Sequence, residues 1–409
     1  MTFALTPAET AFRDEVRAFL AEALTPDLRA AGTLMTSVYC DHEAQLEWQA
    51  RLHARGWAAP AWPAEHGGCE WSVVQRYLFQ RECVLAGAPT SPLGINMVGP
   101  AIMRFGSDWQ KAHFLPRMLT GEHYLCQGYS EPQAGSDLAA LQMRAVRDGD
   151  DLVCTGTKIW NTHANVANWM FALVRTDAGG RKQQGISFVL VDMATRGIEV
   201  RPIVMMSGEH IQNQVFFDEV RVPVSQVVGA IDDGWTVAKY LLEYERGGTA
   251  YAPELQVRLE ALRRHVTAQA DTLFALPDAA ARFMGRLSEA EIAVEVLDAL
   301  EAEIMSALAG DGRIGTDASM MKILGTELQQ RVTELALDAA GPFGRAWQPG
   351  ATRPGGPIVG YPTALDDYVS GELWQAIAPL RYLNERAGTI YAGTNEIQRG
   401  IIAKAELGL

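Results

Sequence analysis

Apolar residues along this chain follow two rhythms, and the changes between them divide it into three parts. Phe12, Val16, Phe19 and Leu20 recur at the spacing of a helix. Ahead of them Thr6, Pro7 and Glu9 supply a cap, a first-turn proline and the second half of a capping box. The pattern predicts a helix from residue 7 and a second over 42–55, ended by Gly56. Trp57–Pro63 reads as an extended linker, and further helices are expected over 71–86, 93–105 and 107–120. The period then falls to two. Alternating runs at 141–147 and 151–160 flank Asp148-Gly149, a hairpin turn signal. Strands are expected to continue at 169–175, 186–192, 198–203 and 213–222. From Asp233 helices return, at roughly 234–250, 254–275, 279–309, 317–340, 367–387 and 394–406. Leu287, Ile292, Val294, Val296, Leu297, Leu300 and Ile304 give the third of these a broad apolar face, which suggests bundle packing and an oligomer contact. The stretch 341–366 is rich in Gly and Pro and reads as irregular. The expected fold class is α+β and multidomain. It has an N-terminal helical domain (1–124), a middle β-barrel or sandwich domain (125–232) and a C-terminal domain of four-helix-bundle type (233–409).

Composition narrows what such a chain does. Its 409 residues suffice for two or three cores. A 48% hydrophobic content with mean hydropathy −0.04 is that of a globular chain. Lys+Arg 35 against Asp+Glu 49 gives a net charge of −14, which argues against nucleic acid or an anionic membrane surface as main partner. Cys40, Cys69, Cys83, Cys126 and Cys154 are scattered with no Cys-x-x-Cys, and His is never spaced to complete a zinc site. Buried free thiols in a reducing compartment account for them. The N-terminus shows no signal or transit pattern, and no apolar run reaches the ~18 residues of a membrane span. The expected location is cytoplasmic.

The candidate chemistry centres on residues 126–169. Ser130, Gly135, Ser136 and Thr162 are small or hydroxylated, and Trp160 stands where a strand should end. Hydroxyls, accessible backbone and one flat stacking face suit a large planar cofactor with polar edges. A Gly/Pro turn followed by a hairpin, with Trp160 in the core, is the plainer alternative.

Five ordered motifs carry a resemblance. They are Tyr129-Ser-Glu-Pro-Gln-Ala-Gly-Ser-Asp137, Lys158-Ile-Trp-Asn-Thr162, Phe216-Phe-Asp-Glu-Val-Arg-Val-Pro223, Asp233-Gly-Trp235 and Ile390-Tyr-Ala-Gly-Thr-Asn-Glu-Ile-Gln-Arg399. Over essentially its full length the chain resembles the acyl-CoA dehydrogenase family, with Gln133 where the family usually has Gly. The resemblance implies FAD as cofactor, an acyl-CoA substrate and an electron-transfer flavoprotein as acceptor. By position it assigns Gln127, Tyr129, Ser130, Ser136, Trp160, Thr162, Thr394 and Glu396 to the flavin. Ser136 also falls where the family contacts the CoA arm, and Arg246 and Tyr391 fall on the substrate side.

The reaction of such a site removes a proton from the carbon alpha to the thioester and a hydride from the beta carbon. In most of the family the base is a Glu directly after the Tyr of the C-terminal loop; here that position is Ala392. Its backbone N–H survives as one donor to the thioester oxygen. The family's second solution is a Glu before an Arg on the first helix of the C-terminal domain, which places the base at Glu245, beside Arg246. Glu243, two residues away, points to another side of that helix. A solvated, helix-pairing carboxylate is the alternative for Glu245.

The segments by which one subunit grips its neighbour's FAD are poorly matched at 281–286 and 337–344. This is similar to the two-component branch, in which different subunits form an α2β2 tetramer and bulky steroid side-chain thioesters are common substrates. A homotetramer, a flavin oxidase on the same scaffold and a non-catalytic, FAD-sharing subunit of a heteromer are the alternatives. Trp48, Trp57, Trp62, Trp71 and Trp109 read as packing, His163 as a cofactor contact or a surface-loop residue, and Glu209 and His210 as loop residues open to solvent.

Overall fold

The computed structural model describes residues 5–36, 40–246, 250–269, 277–309, 315–352 and 369–409, with backbone only at 243–246 and 277. Helix α1 (Pro7–Ala23) starts on the expected capping box, with Glu9 N donating to Thr6 Oγ1 at 3.2 Å and Thr6 N to Glu9 Oε2 at 2.8 Å. A helix absent from the sequence reading, α2 (Pro26–Leu34), opens on the same Thr-Pro device, with Thr25 accepting from Leu28 N. Its buried face is only Leu28 and Ala31, too little to show as a period. Helices α3 (His42–Arg55), α4 (Val73–Ala86), α5 (Leu93–Asn96), α6 (Val98–Phe105) and α7 (Asp108–Thr120) follow.

Two expectations fail here for one reason. Residues 57–63 are not an extended linker, because the chain turns there, Trp62 N donating to Ala59 O at 3.1 Å, and Trp57 and Trp62 are buried as packing residues with Ala58 and Ala59. The predicted helix over 93–105 is two, broken at Met97 (φ −111°, ψ −72°). Trp62 wedges into that break: its Nε1 donates to Ile95 O at 2.9 Å, and a Cβ on Gly99 would lie 2.2 Å from its ring.

The middle region is a curled seven-stranded sheet of β1 (Leu125–Gly128), β2 (Arg144–Asp148), β3 (Asp151–Ile159), β4 (Trp169–Arg175), β5 (Ile186–Asp192), β6 (Ile198–Ile203) and β7 (Gln212–Pro223). Its order is β1-β4-β2-β3-β7-β6, with β5 also on β4. The β2–β3 hairpin pairs Asp148 with Asp151 across Gly149 at φ +63°. Strand β4 is buried on both faces. Met170, Ala172 and Val174 pack with Val189 and Val191 inside the sheet's own core, while Phe171 and Leu173 join Phe188 and Leu190 against the N-terminal helices. That second core also takes in Val237, Ala238 and Leu241 of α8 (Gly234–Arg246), so the sheet and both helical regions share it.

The C-terminal helices continue as α9 (Ala252–Ala268), α10 (Pro277–Ala309), α11 (Asp317–Ala340), α12 (Leu373–Glu385) and α13 (Asn395–Leu407). Leu255, Leu259 and Leu262 of α9, Leu287, Val294 and Leu297 of α10, and Val332 and Leu335 of α11 form their core. The broad face of α10 is only partly used. Ile292 and Val296 remain 65% and 63% exposed. Among its described residues the irregular stretch holds two short 3-10 turns, Gly341–Arg345 and Pro349–Ala351. Among the described residues no helix is long and apolar enough to cross a membrane, and no cluster of metal-ligating side chains occurs. Cys40, Cys126 and Cys154 are buried as expected, but Cys69 and Cys83 are only half-buried.

Candidate functional site

Strand β1 runs into a turn that returns under the end of β3, and a buried ion pair ties the two. Lys158 Nζ lies 2.8 Å from Glu131 Oε1 and donates to Tyr129 O at 3.2 Å. Glu131 also accepts from Met143 N (2.9 Å), Gln142 N (2.6 Å) and Gln133 Nε2 (2.7 Å). Both charges are fully desolvated, and such a pair is tolerated only when its remaining valences are filled. Burial lowers the pKa of Lys158, and the Glu131 carboxylate opposes that shift. Gln133, the departure from the family pattern, thus has a partner. Ile159 N donates to Ser130 O at 3.0 Å, closing the turn against β3.

The strand ends at Ile159, and the next residue leaves it in a left-handed conformation. Trp160 has φ +61° and is 60% exposed, so the core reading of this tryptophan is wrong. A bulky residue in that region is strained and persists only where its surroundings over-determine it. Here they do, because Asn161 N donates to Asn213 O (3.0 Å) and Asn161 Nδ2 to Gln127 O (2.7 Å). Thr162 Oγ1 accepts from Gln212 Nε2 at 3.0 Å. Asn161 Oδ1 and Gln212 Oε1 are buried with no partner among the described residues. His163 is neither a surface residue nor an evident ligand. It is 5% exposed, its Nδ1 is 2.6 Å from Tyr124 Oη, and burial lowers its pKa to about 4, so it is neutral. Ser136 is exposed on the turn after Gly135.

A second group of site residues lies on the loop between α12 and α13. Ala392 and Gly393 have φ of +53° and +80°. Thr394 caps α13, accepting from Ile397 N at 3.2 Å, and Glu396 and Tyr391 are exposed. Among the described residues the Ala392 N–H donates to no other group. The structure therefore gathers Gln127, Ser130, Trp160 and Thr162 on one shelf and Tyr391, Ala392, Thr394 and Glu396 on one loop, while the Tyr129 ring turns into the core against Phe171 and Phe188. No direct hydrogen bond joins the two groups among the described residues. Glu245 and Arg246 occupy the last turn of α8, and their side chains lie outside the described residues.

The sequence reading missed what fastens that loop. Glu209, expected in solvent, is fully buried. Its Oε2 accepts from Ser207 Oγ (2.8 Å), Asn384 Nδ2 (2.8 Å) and Thr36 Oγ1, and burial raises its pKa. It thus joins the end of α2, the β6–β7 loop and the last turn of α12. Arg381 donates to Met35 O and Thr33 O, and Arg258 reaches Glu385 at 3.1 Å. A Glu in a polar loop carries no sequence signal for burial, since Glu is normally solvated. Trp109, expected to pack in the core or a linker, is 51% exposed and stacks on His113.

Chemically, the shelf offers a flat indole, two hydroxyls and two buried acceptors without partners. The loop offers one backbone N–H to an incoming oxygen. Family models for the acyl-CoA dehydrogenase N-terminal, middle and C-terminal domains match residues 6–122, 126–220 and 232–407. The acyl-CoA dehydrogenase IpdE1 of Mycobacterium tuberculosis is 37% identical, over 97% of each chain. Two solved structures share a TM-score of 0.80 with this chain. The ChsE4-ChsE5 complex from Mycobacterium tuberculosis is 30% identical and a steroid ACAD 29% identical, each covering 100% of this chain and 99% of its own.

Proposed function

Because the chain belongs to the acyl-CoA dehydrogenase family, whose three domain models span nearly all of it, we propose that it α,β-dehydrogenates a bulky, steroid-type acyl-CoA with Glu245 as base. Members of this family are FAD-dependent oxidoreductases acting on CH–CH bonds. The shelf fits that cofactor, since Trp160 supplies a stacking face and Asn161 Oδ1 and Gln212 Oε1 are buried acceptors in want of donors. Gln127, Tyr129, Ser130, Ser136, Trp160 and Thr162 would hold it from the sheet, and Thr394 and Glu396 from the loop. FAD, when bound, supplies the acceptor for the hydride lost from the beta carbon.

The chain's own residues supply the rest. Glu245 takes the alpha proton: the C–H bond breaks and a carboxyl O–H forms. The Ala392 N–H steadies the oxygen of the thioester as charge grows on it. Ser136, Arg246 and Tyr391 would contact the CoA thioester, as the family resemblance assigns them. The observation that carries this reading is Ala392 itself, whose left-handed backbone keeps an N–H open while its side chain brings no carboxylate. A base must then come from another element, and Glu245 stands at the family's alternative position.

The bulky substrate is favoured by two similar structures, a steroid ACAD and the ChsE4-ChsE5 complex. The second also favours a heteromeric assembly for this chain, as does the exposed Ile292/Val296 face of α10. An electron-transfer flavoprotein is the proposed electron acceptor. Anaerobic titration of the flavin-loaded assembly with CoA thioesters, from short straight chains to steroid side chains, tests the reading. Bleaching of the flavin band by the bulky thioesters is expected, and bleaching by none of the panel contradicts it.

A further inference from the structure

We infer that Gln398 and Ser319 are positioning residues whose buried hydrogen-bond chain aims the Ala392 N–H at the substrate oxygen; this rests on the role proposed above for that N–H. Two successive left-handed residues, Ala392 and Gly393, are a conformation the chain does not adopt unaided, and for Ala it carries a steric cost. Something must hold it.

The holder is Gln398, one turn into α13 and 1% exposed. Its Nε2 donates to Ala392 O at 3.2 Å and to Gly393 O at 3.3 Å, so both of its protons go to the loop. A Cβ on Gly393 would sit 2.7 Å from that nitrogen. The other end of the amide is fixed as well. Ser319 Oγ, 2% exposed on α11, donates to Gln398 Oε1 at 2.7 Å. The amide orientation is forced by chemistry, since two carbonyls require two donors and a hydroxyl donor requires an acceptor.

On the near side of Ala392, Tyr391 N and Ile390 N both donate to Ala387 O, at 3.1 and 2.8 Å. The peptide planes on both sides are therefore tied, while the N–H between them donates to nothing among the described residues. An N–H pinned on both flanks and left open is preorganised for an oxygen that arrives with the substrate. Where the loop carries no catalytic carboxylate, this donor is what the loop contributes to the reaction.

The test uses the flavin-loaded assembly with Ser319→Ala, Gln398→Met and Ser319→Thr, which keeps the hydroxyl. Besides kcat and KM, it follows the ultraviolet absorbance of a bound 3-ketoacyl-CoA, whose enolate carries its negative charge at the thioester and keto oxygens. For Ser319→Ala, kcat should fall about tenfold with KM near wild type. The pH at which the bound ketothioester ionises should rise by about one unit, the same tenfold. Gln398→Met should do more, and Ser319→Thr should restore both readouts. Wild-type ionisation and kcat in both disrupting variants overturn the inference. So does a loss that tracks a fall in thermal midpoint and flavin content and is not rescued by Ser319→Thr. If the wild-type assembly neither ionises the ketothioester nor is bleached by any thioester, the reading of the site fails first, and the inference with it.

Discussion

At the scale of residues, the site depends on charges that never meet water. Lys158 and Glu131 lie under the turn that presents Ser130 and under the strand end that presents Trp160. The attraction between them is offset by the cost of desolvating both, so the pair fixes geometry more than it adds net stability. Removing one partner is different, because it strands a buried charge. Lys158→Met should destabilise the protein by about 3–5 kcal/mol, read as a lowered urea midpoint. Replacing Glu131 as well, by Gln, should recover part of that loss, because no buried charge is left unpaired and the amide oxygen can still accept from one of the two N–H groups, Gln142 N or Met143 N, that the carboxylate holds on separate oxygens. A single variant as stable as wild type would show that the turn is held by something else. Neither role was legible in the sequence. The motif drew notice through Trp160 and Thr162, while its lysine ties the strand before them to the turn that carries Ser130.

At the scale of elements, α9 begins without a cap of its own, and its neighbour α10 provides one. Glu301 Oε1 accepts from Tyr251 N (2.7 Å) and Ala252 N (3.1 Å). Burial raises its pKa to about 7, with Asp298 adding to the rise and the two backbone N–H groups and Arg81 opposing it. An acid with a raised folded pKa binds its proton more tightly folded than unfolded. Stability should therefore fall as pH rises from the ordinary 4.5 to about 7, and level off above. Glu301→Gln keeps the accepting oxygen and has no proton to lose, so its urea midpoint should lack that decline. Parallel pH profiles for the two proteins would contradict the assignment. Elements with an apolar period within their own residues were legible in advance: α1 with its Thr-Pro-x-Glu start, α3 ending on Gly56, and strands β4 to β6 to the residue. What escaped depends on distant partners. Trp62 breaks the helix over 93–105 from outside it, and Glu209 is buried against Thr36 and Asn384, both remote in sequence, while α2 buries too little to show a period.

At the scale of the whole molecule, Glu209 is the point where the three regions meet, and it anchors the end of α12 from which the Ala392 loop departs. The exposed Ile292 and Val296 on α10 are apolar surface that a lone chain leaves uncovered. With the poorly matched segments at 281–286 and 337–344, this supports an assembly in which a second, different subunit completes the flavin site. The chain expressed alone should then carry well under one flavin per subunit, and co-expression with its partner should restore it; full, tight loading of the lone chain would favour a homo-oligomer instead. In the function proposed above, Glu245 is the base because Ala392 carries no carboxylate. Anaerobic absorbance of the flavin-loaded assembly, wild type beside Glu245→Gln, tests it with the best thioester of the panel. The variant should keep its flavin and its spectrum yet lose bleaching by on the order of 100-fold or more in rate. Bleaching at the wild-type rate would place the base elsewhere.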